Sequence, residues 1–221
     1  MPEEIVVVVA GGEPPHSDAA LAVPLGATVI AADGGLAHAQ ALGLDVAAAI
    51  GDFDSASPES VRSAESAGVQ LERHPAAKDA TDLELALDAA LARSPGRIVV
   101  LAGVGDRLDH LLAALLLLGS AKWAGVEVDA VIGAARVHVV RGGRELAGRA
   151  GELVSLLALH GPAEGVRTEG LVYELRRETL APGSSRGVSN VFATDLAHVS
   201  VEHGVVLAVR PGLGRGGGSW F

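Results

Sequence analysis

Short β-branched runs ending at glycine or aspartate recur along the first half of the chain, separated by stretches rich in alanine and leucine. Residues 5–9 read IVVVV and stop at Gly11-Gly12, and residues 27–33 read ATVIAAD and run into Gly34-Gly35. Residues 47–54 read AAAIGDFD, and residues 97–103 read RIVVLAG before GDRLDH. Unbroken apolar runs of this length suit strands buried on both faces. Between them, Leu83, Leu87, Ala90 and Leu91 fall on one face of a helix. Thr81 and Glu84 fit an S/T-x-x-E capping box, which starts that helix near Thr81. Buried strands alternating with helices predict an open, largely parallel α/β sheet.

From about residue 134 the rhythm changes. RVHVV, ELVSLLAL, GVRTEGLVYEL and VSVEHGVVLAVR are strand-like runs separated by Gly, Pro or Asn, with no amphipathic helix among them. This predicts a compact all-β domain, a sandwich or partial barrel. The change falls within 133–144, giving an α/β domain over 1–135 and a β-domain over 136–221. The run LLAALLLLGSA at 111–121 reads as core, and the Gly-rich tail 211–221 as flexible.

Composition narrows the function classes. The chain has 221 residues, 49% of them hydrophobic, enough for one medium domain or two small ones with real cores. It has no cysteine, which removes disulfide and thiolate chemistry. The longest apolar run is too short for a bilayer, and acids stand near the N-terminus where a signal peptide carries basic residues. A cytoplasmic setting is the expectation. A net charge of −10 without a basic block, and only 3% aromatics, argue against nucleic acid and anionic membranes as partners.

The charged residues of the first half cluster at particular places. Asp33 follows one predicted strand, Asp52 and Asp54 another, and Asp106, Arg107 and Asp109 a third, while Asp79 and Asp82 precede a helix. Strands of a parallel sheet end along one edge, where ligands bind. Carboxylates converging there repel and raise one another's pKa unless a cation sits among them. Oxygen ligands favour Mg²⁺, Mn²⁺ or Ca²⁺, and Mg²⁺ commonly completes its shell with substrate phosphates. Gly11, Gly12, Gly34 and Gly35 allow backbone N–H groups near phosphate oxygens, and Lys78 and Arg107 supply positive charge. Each cluster also has a plain reading. D-x-D and D-G-G occur in turns, Thr81, Asp82 and Glu84 can simply cap a helix, and His110 can be an ordinary half-buried histidine. Four clusters at corresponding ends of four elements favour a site.

These residues resemble a family. AADGGLAHAQALGL, GDFDS, KDATDLELAL and GDRLDHLL, in this order and spacing, resemble thiamin pyrophosphokinase, with looser likeness through SLLAL, TEGLVYEL and GVSN. The resemblance implies an α/β nucleotide domain followed by a β-sandwich. It implies transfer of the pyrophosphoryl group of ATP to the thiamin hydroxyl, giving thiamin diphosphate and AMP. It places Asp33, Gly34, Asp52, Asp54, Asp82 and Asp109 at the Mg²⁺ and ATP site, with Asp52, Asp54 and Asp82 on the metal. Lys78 and Asp79 flank that site, Arg107 lies beside the phosphates, and Ser189 and Asn190 line the thiamin pocket. It also implies a homodimer in which the β-domain of one chain completes the thiamin site of the other.

Asp82 or Asp79 would orient the substrate hydroxyl or take its proton, and the residues do not choose between them. Phe192, Tyr173 and Trp220 are the candidates for stacking on the pyrimidine. Two positions depart from the family: Gly105-Asp106-Arg107 stands where Gly-Gly-Arg is common, and Ala114 where an asparagine is common. The absence of a G-x-x-x-x-G-K-[ST] motif disfavours a P-loop kinase. The alternatives are a pyrophosphokinase for another hydroxymethyl heterocycle such as a pterin, a D-x-D phosphatase with Asp52 as nucleophile, and a nucleotide- or thiamin-sensing module without turnover.

Overall fold

The computed structural model describes residues 3–54 and 56–212. The chain forms two compact units: residues up to Ala114 with Val126–Gly133, and Leu115–Gly125 with Ala134 onward. The Gly-rich tail from Leu213, including Trp220, lies outside the described residues.

The first unit is built on six parallel strands: β1 (Ile5–Val9), β2 (Thr28–Ala32), β3 (Val46–Gly51), β4 (Gln70–Arg73), β5 (Arg97–Ala102) and β6 (Glu127–Ile132). Their order is β6-β5-β1-β2-β3-β4. Val6–Val9 of β1 and Ile98–Leu101 of β5 are buried throughout, as unbroken apolar runs require of central strands. From β1 the chain moves outward through β2, β3 and β4, then returns to β5 on the other side. The switch point therefore lies between β1 and β5, and the carboxyl ends of all six strands share one edge.

Helices α1 (Gly35–Ala41), α2 (Pro58–Ser66), α3 (Asp82–Ala92) and α4 (Leu108–Leu118) complete the α/β pattern. Thr81 caps α3: its Oγ1 accepts from the Glu84 N–H at 3.2 Å. The buried face of α3 is Ala86, Leu87 and Ala90, with Leu83 and Leu91 half-buried at its margins.

Helix α4 corrects one expectation. The run 111–121 is not core: within it only Leu118 and Gly119 are buried. Leu108, Leu112 and Leu116, at i, i+4 and i+8, form an exposed stripe with exposures of 62%, 52% and 48%. Leucine occupies nearly every face of this helix, and one chain covers only part of its circumference. His110, on the same helix, is exposed and not half-buried. No described helix is long and apolar enough to cross a membrane.

The second unit is antiparallel: β7 (Ala135–Ala147), β8 (Leu153–Glu169), β9 (Arg176–Leu180), β10 (Asn190–Val191) and β11 (Leu196–Arg210). The order is β10-β8-β11-β7, with β9 on the far arm of β8. The register of β11 against β8 shifts between His203 and Val205, where Gly204 takes φ +94°. Val154 and Leu156 from one arm of β8 and Ala163 and Val166 from the other enter the same core cluster, as do Val199 and Val206 of β11. The long strands thus bend so that their arms enclose one core, a sandwich-like arrangement.

Two strand assignments differ from the expected ones. ELVSLLAL and the start of GVRTEGLVYEL are one strand, β8, which passes through Gly161 and Pro162 at its irregular middle. The end of that second run leaves the ladder after Glu169. Gly170 turns with φ +74°, and Leu171 makes only a bridge to Phe192.

Candidate active site

The carboxyl ends of β2 and β3 carry the acidic centre. Asp33 directly follows β2, and its N–H donates to the Ile50 carbonyl of β3 at 2.8 Å. Gly51 permits this approach, since a Cβ there would lie 2.9 Å from the Asp33 Cβ and 3.0 Å from its Cα. Phe53, between the two acids of the D-F-D sequence, is buried in a cluster with Ala31, Leu36, Ala49, Val61 and Ala64. The Arg73 guanidinium lies 5.1 Å from the centre of its ring. The buried ring anchors the loop, leaving Asp52 half-buried and Asp54 exposed on either side.

Asp33 and Phe53 both adopt left-handed backbone, with φ of 45° and 58°. Such strain outside glycine costs on the order of 1–3 kcal/mol per residue and gathers at functional sites. The result is that one carboxylate oxygen from each of Asp33, Asp52 and Asp54 lies within 4.8 Å of the other two.

Asp52 is held from two directions. Its Oδ1 accepts the Asp54 N–H at 3.1 Å, and its Oδ2 meets the Lys78 ammonium at 3.3 Å. Lys78 also reaches Asp82 Oδ1 at 2.9 Å, so one cation joins the loop after β3 to the first residue of α3. The Asp54 N–H, followed by Lys78, holds the Asp52 carboxyl below the ordinary aspartate range against the opposing effect of burial. Asp82 foremost, and then Asp52, raises the Lys78 ammonium above its ordinary range. Asp82 thus pairs with Lys78 and stands outside the carboxylate trio, and Asp79 is exposed in the segment leading to α3.

The glycines serve close packing. A Cβ on Gly35 would meet the Val9 carbonyl oxygen at 2.1 Å, and one on Gly11 would lie 3.2 Å from the Ala32 carbonyl oxygen and 3.3 Å from the Gly34 nitrogen. The segments after β1 and β2 therefore stack backbone on backbone beside Asp33. The Gly12 carbonyl engages His38 Nε2 at 2.8 Å, a tie between α1 and the segment after β1 that no local pattern signals.

Arg107 and Asp109 follow β5, on the other side of β1. They pair with each other through two contacts, Nε to Oδ1 at 2.9 Å and a terminal nitrogen to Oδ2 at 2.7 Å, and both are exposed. The guanidinium holds the Asp109 carboxyl well below the usual carboxylate range. Gly103 and Gly105 bring this segment against Glu13: a Cβ on them would meet the Glu13 carbonyl oxygen at 2.2 Å and its Cγ at 2.3 Å. Glu13 therefore borders the switch point, a placement that sequence reasoning missed because its neighbours form no recognisable pattern.

In the second unit, Ser189 is exposed with φ 58°, and its N–H donates to Ser155 Oγ at 3.1 Å. Asn190 is buried. Its Oδ1 accepts from the N–H groups of Tyr173 and Val191 at 3.0 and 2.8 Å, and its Nδ2 donates to the Tyr173 carbonyl at 2.8 Å. These bonds hold the Tyr173 segment in place, leaving its side chain 61% exposed. Phe192 is 1% exposed, with Arg210 over its ring, and belongs to the core. Tyr173 is therefore the exposed aromatic among the described candidates.

Residues 26–129 match the family model described as thiamin pyrophosphokinase, catalytic domain, and residues 138–206 match thiamin pyrophosphokinase, vitamin B1 binding domain. A thiamine pyrophosphokinase of Bacillus subtilis is 44% identical over 70 residues, a stretch covering 32% of this chain and 33% of that protein. The sequence match thus spans about a third of that relative. The crystal structure of the Bacillus subtilis thiamine pyrophosphokinase superposes over 94% of this chain and 98% of its own, with TM-score 0.81 and 23% identity. A thiamin pyrophosphokinase family protein from Enterococcus faecalis covers the same shares, with TM-score 0.77 and 27% identity. Thiamin pyrophosphokinase from Candida albicans has TM-score 0.77 at 15% identity, over 94% of this chain and 89% of its own, a likeness of fold.

Proposed function

This chain belongs to the thiamin pyrophosphokinase family, and on that premise we propose that it transfers the pyrophosphoryl group of ATP to the hydroxyl of thiamin in the cytoplasm. The observation that carries the reading is the convergence of Asp33, Asp52 and Asp54 at the carboxyl edge of a sheet whose sequence matches the family's catalytic domain. The thiamin hydroxyl oxygen attacks the β-phosphorus, the bond from that phosphorus to the α,β-bridging oxygen breaks, and AMP leaves. Such a reaction demands in-line placement and charge neutralisation more than covalent catalysis.

The trio offers only hard carboxylate oxygens, a donor set that fits Mg²⁺. Bound by these residues, Mg²⁺ would neutralise and clamp phosphate oxygens. Asp54, the exposed member, faces the arriving substrate. Arg107, exposed after β5, exchanges Asp109 for phosphate oxygens and offsets charge on the transferred group. The proton of the attacking hydroxyl passes to the Asp79–Asp82 segment, which supplies two carboxylates beside Lys78. Chromatography of the spent nucleotide tests the reaction directly. AMP together with thiamin diphosphate is expected, and ADP or free phosphate as the main product would refute the pyrophosphoryl assignment.

The reading includes a homodimer in which the β-domain of one chain completes the thiamin site of the other. The exposed leucine stripe of α4 supports a second copy, because an apolar helix face of this kind gains by burial. Tyr173, held out by Asn190, supports a thiamin-contacting role for the second unit, with Ser189 beside it. Asp54→Asn and Tyr173→Ala chains, each inactive alone, are expected to regain part of the activity when refolded together, since one site in a mixed dimer carries neither change. No recovery, or sedimentation as a monomer at micromolar concentration, would end the dimer proposal.

A further inference from the structure

The feature least explained by phosphate transfer alone is the position of Lys78. It is not a solvated surface lysine: its side chain is 13% exposed and touches carboxylates on two elements, Asp52 at 3.3 Å and Asp82 at 2.9 Å. Asp52 belongs to the trio that suits a divalent cation. Both of its oxygens are already engaged, Oδ1 by the Asp54 N–H and Oδ2 by Lys78. A divalent cation drawn to Asp52 therefore meets an ammonium on the same carboxylate. Two cations sharing one half-buried anion repel, and the ion pair with Lys78 has to open or weaken.

A polyphosphate changes this balance. It brings several anionic oxygens that provide Lys78 with a new partner, so the ammonium can leave Asp52 without losing its counter-charge. Asp82, on the far side of Lys78, remains as its second anchor.

We propose that Lys78 is a tethered cation that competes with a lone divalent cation for Asp52 and yields to one that arrives with a polyphosphate. Lys78 thereby couples the two ligands: metal and nucleotide each bind more tightly in the presence of the other, and the reciprocity is thermodynamic. The proposal rests on the reading of Asp33, Asp52 and Asp54 as a divalent-cation site.

The test is a titration with Mn²⁺, followed by its electron paramagnetic resonance signal, without nucleotide and with α,β-methylene-ATP. An opposing charge at this range alters a carboxylate's affinity for a cation by roughly tenfold or more. Lys78→Gln is therefore expected to tighten Mn²⁺ binding without nucleotide by roughly tenfold, and Lys78→Arg to leave it near the wild-type value. In the wild type the nucleotide analogue is expected to tighten Mn²⁺ binding, after allowance for the Mn²⁺–nucleotide complex in solution, and this gain shrinks in Lys78→Gln. Unchanged or weaker Mn²⁺ binding in a folded Lys78→Gln protein overturns the proposal. So does a wild-type Mn²⁺ affinity that is the same with and without the analogue, a readout that needs no variant. Thiamin turnover is measured separately: the Mn²⁺ pattern without turnover supports the role of Lys78 and defeats the enzymatic reading alone, whereas turnover without the pattern does the reverse.

Discussion

Asp54→Asn is expected to lower turnover by roughly a hundredfold or more at saturating Mg²⁺ while the fold stays intact, the scale of losing a group that stabilises developing charge. Asp54 is the exposed member of the trio, and it lies outside the buried cluster that holds Phe53. That anchoring comes from the Phe53 ring and from the Asp54 backbone N–H on Asp52, both of which asparagine retains. Removing one of three crowded negative charges relieves repulsion, so the thermal transition without added metal is expected to hold or rise. Steady-state assay with ATP and thiamin, beside a thermal melt, separates the two effects. Near-normal activity at saturating Mg²⁺ would remove Asp54 from the chemistry.

Gly51→Ala is expected to produce a comparable loss by a different route. The new methyl group would stand 2.9 Å from the Asp33 Cβ and 3.0 Å from its Cα, so the ends of β2 and β3 have to part. Asp33 has no slack to absorb this, because its own N–H is bonded to Ile50 and its φ is already 45°. A displacement of about 1 Å in a positioned group can cost on the order of a hundredfold in rate. Crowding a packed site also costs roughly 1–3 kcal/mol in stability. Mn²⁺ affinity is expected to fall together with turnover, since the trio itself is spread. Wild-type Mn²⁺ binding in this variant would show that the approach of Asp33 to β3 is not what assembles the trio.

The two variants also mark where local sequence stops being informative. Asp52 and Asp54 stand out in the chain because two acids follow an apolar run, whereas Gly51 looks like any turn glycine. Its importance comes from Asp33, eighteen positions earlier, which the pairing of β2 with β3 brings alongside. Lys78 is similar. As a residue type it suggests phosphate neutralisation, but its bridge between Asp52 and Asp82 depends on how the loop after β3 meets the start of α3. Ser189 and Asn190 stood out only through the family resemblance. The fold shows Asn190 spending its amide on the Tyr173 backbone, a contact across seventeen residues.

The sequence by itself determined the alternation of buried strands and helices, the change to an all-β half and the start of α3 at Thr81. Each follows from local physics: β-branched runs avoid water on both faces, and a threonine oxygen can satisfy an N–H that the helix leaves open. Tertiary structure alone decided which acids meet, where Lys78 goes, that ELVSLLAL continues through Gly161 and Pro162 as one strand, and that Leu108, Leu112 and Leu116 remain on the surface. Hydrophobic periodicity reports that a residue favours leaving water, but not which surface will cover it. For α4 the chain supplies more leucine than one helix face can bury, and for the acidic centre the sheet order brings together charges from segments that sequence separation keeps apart.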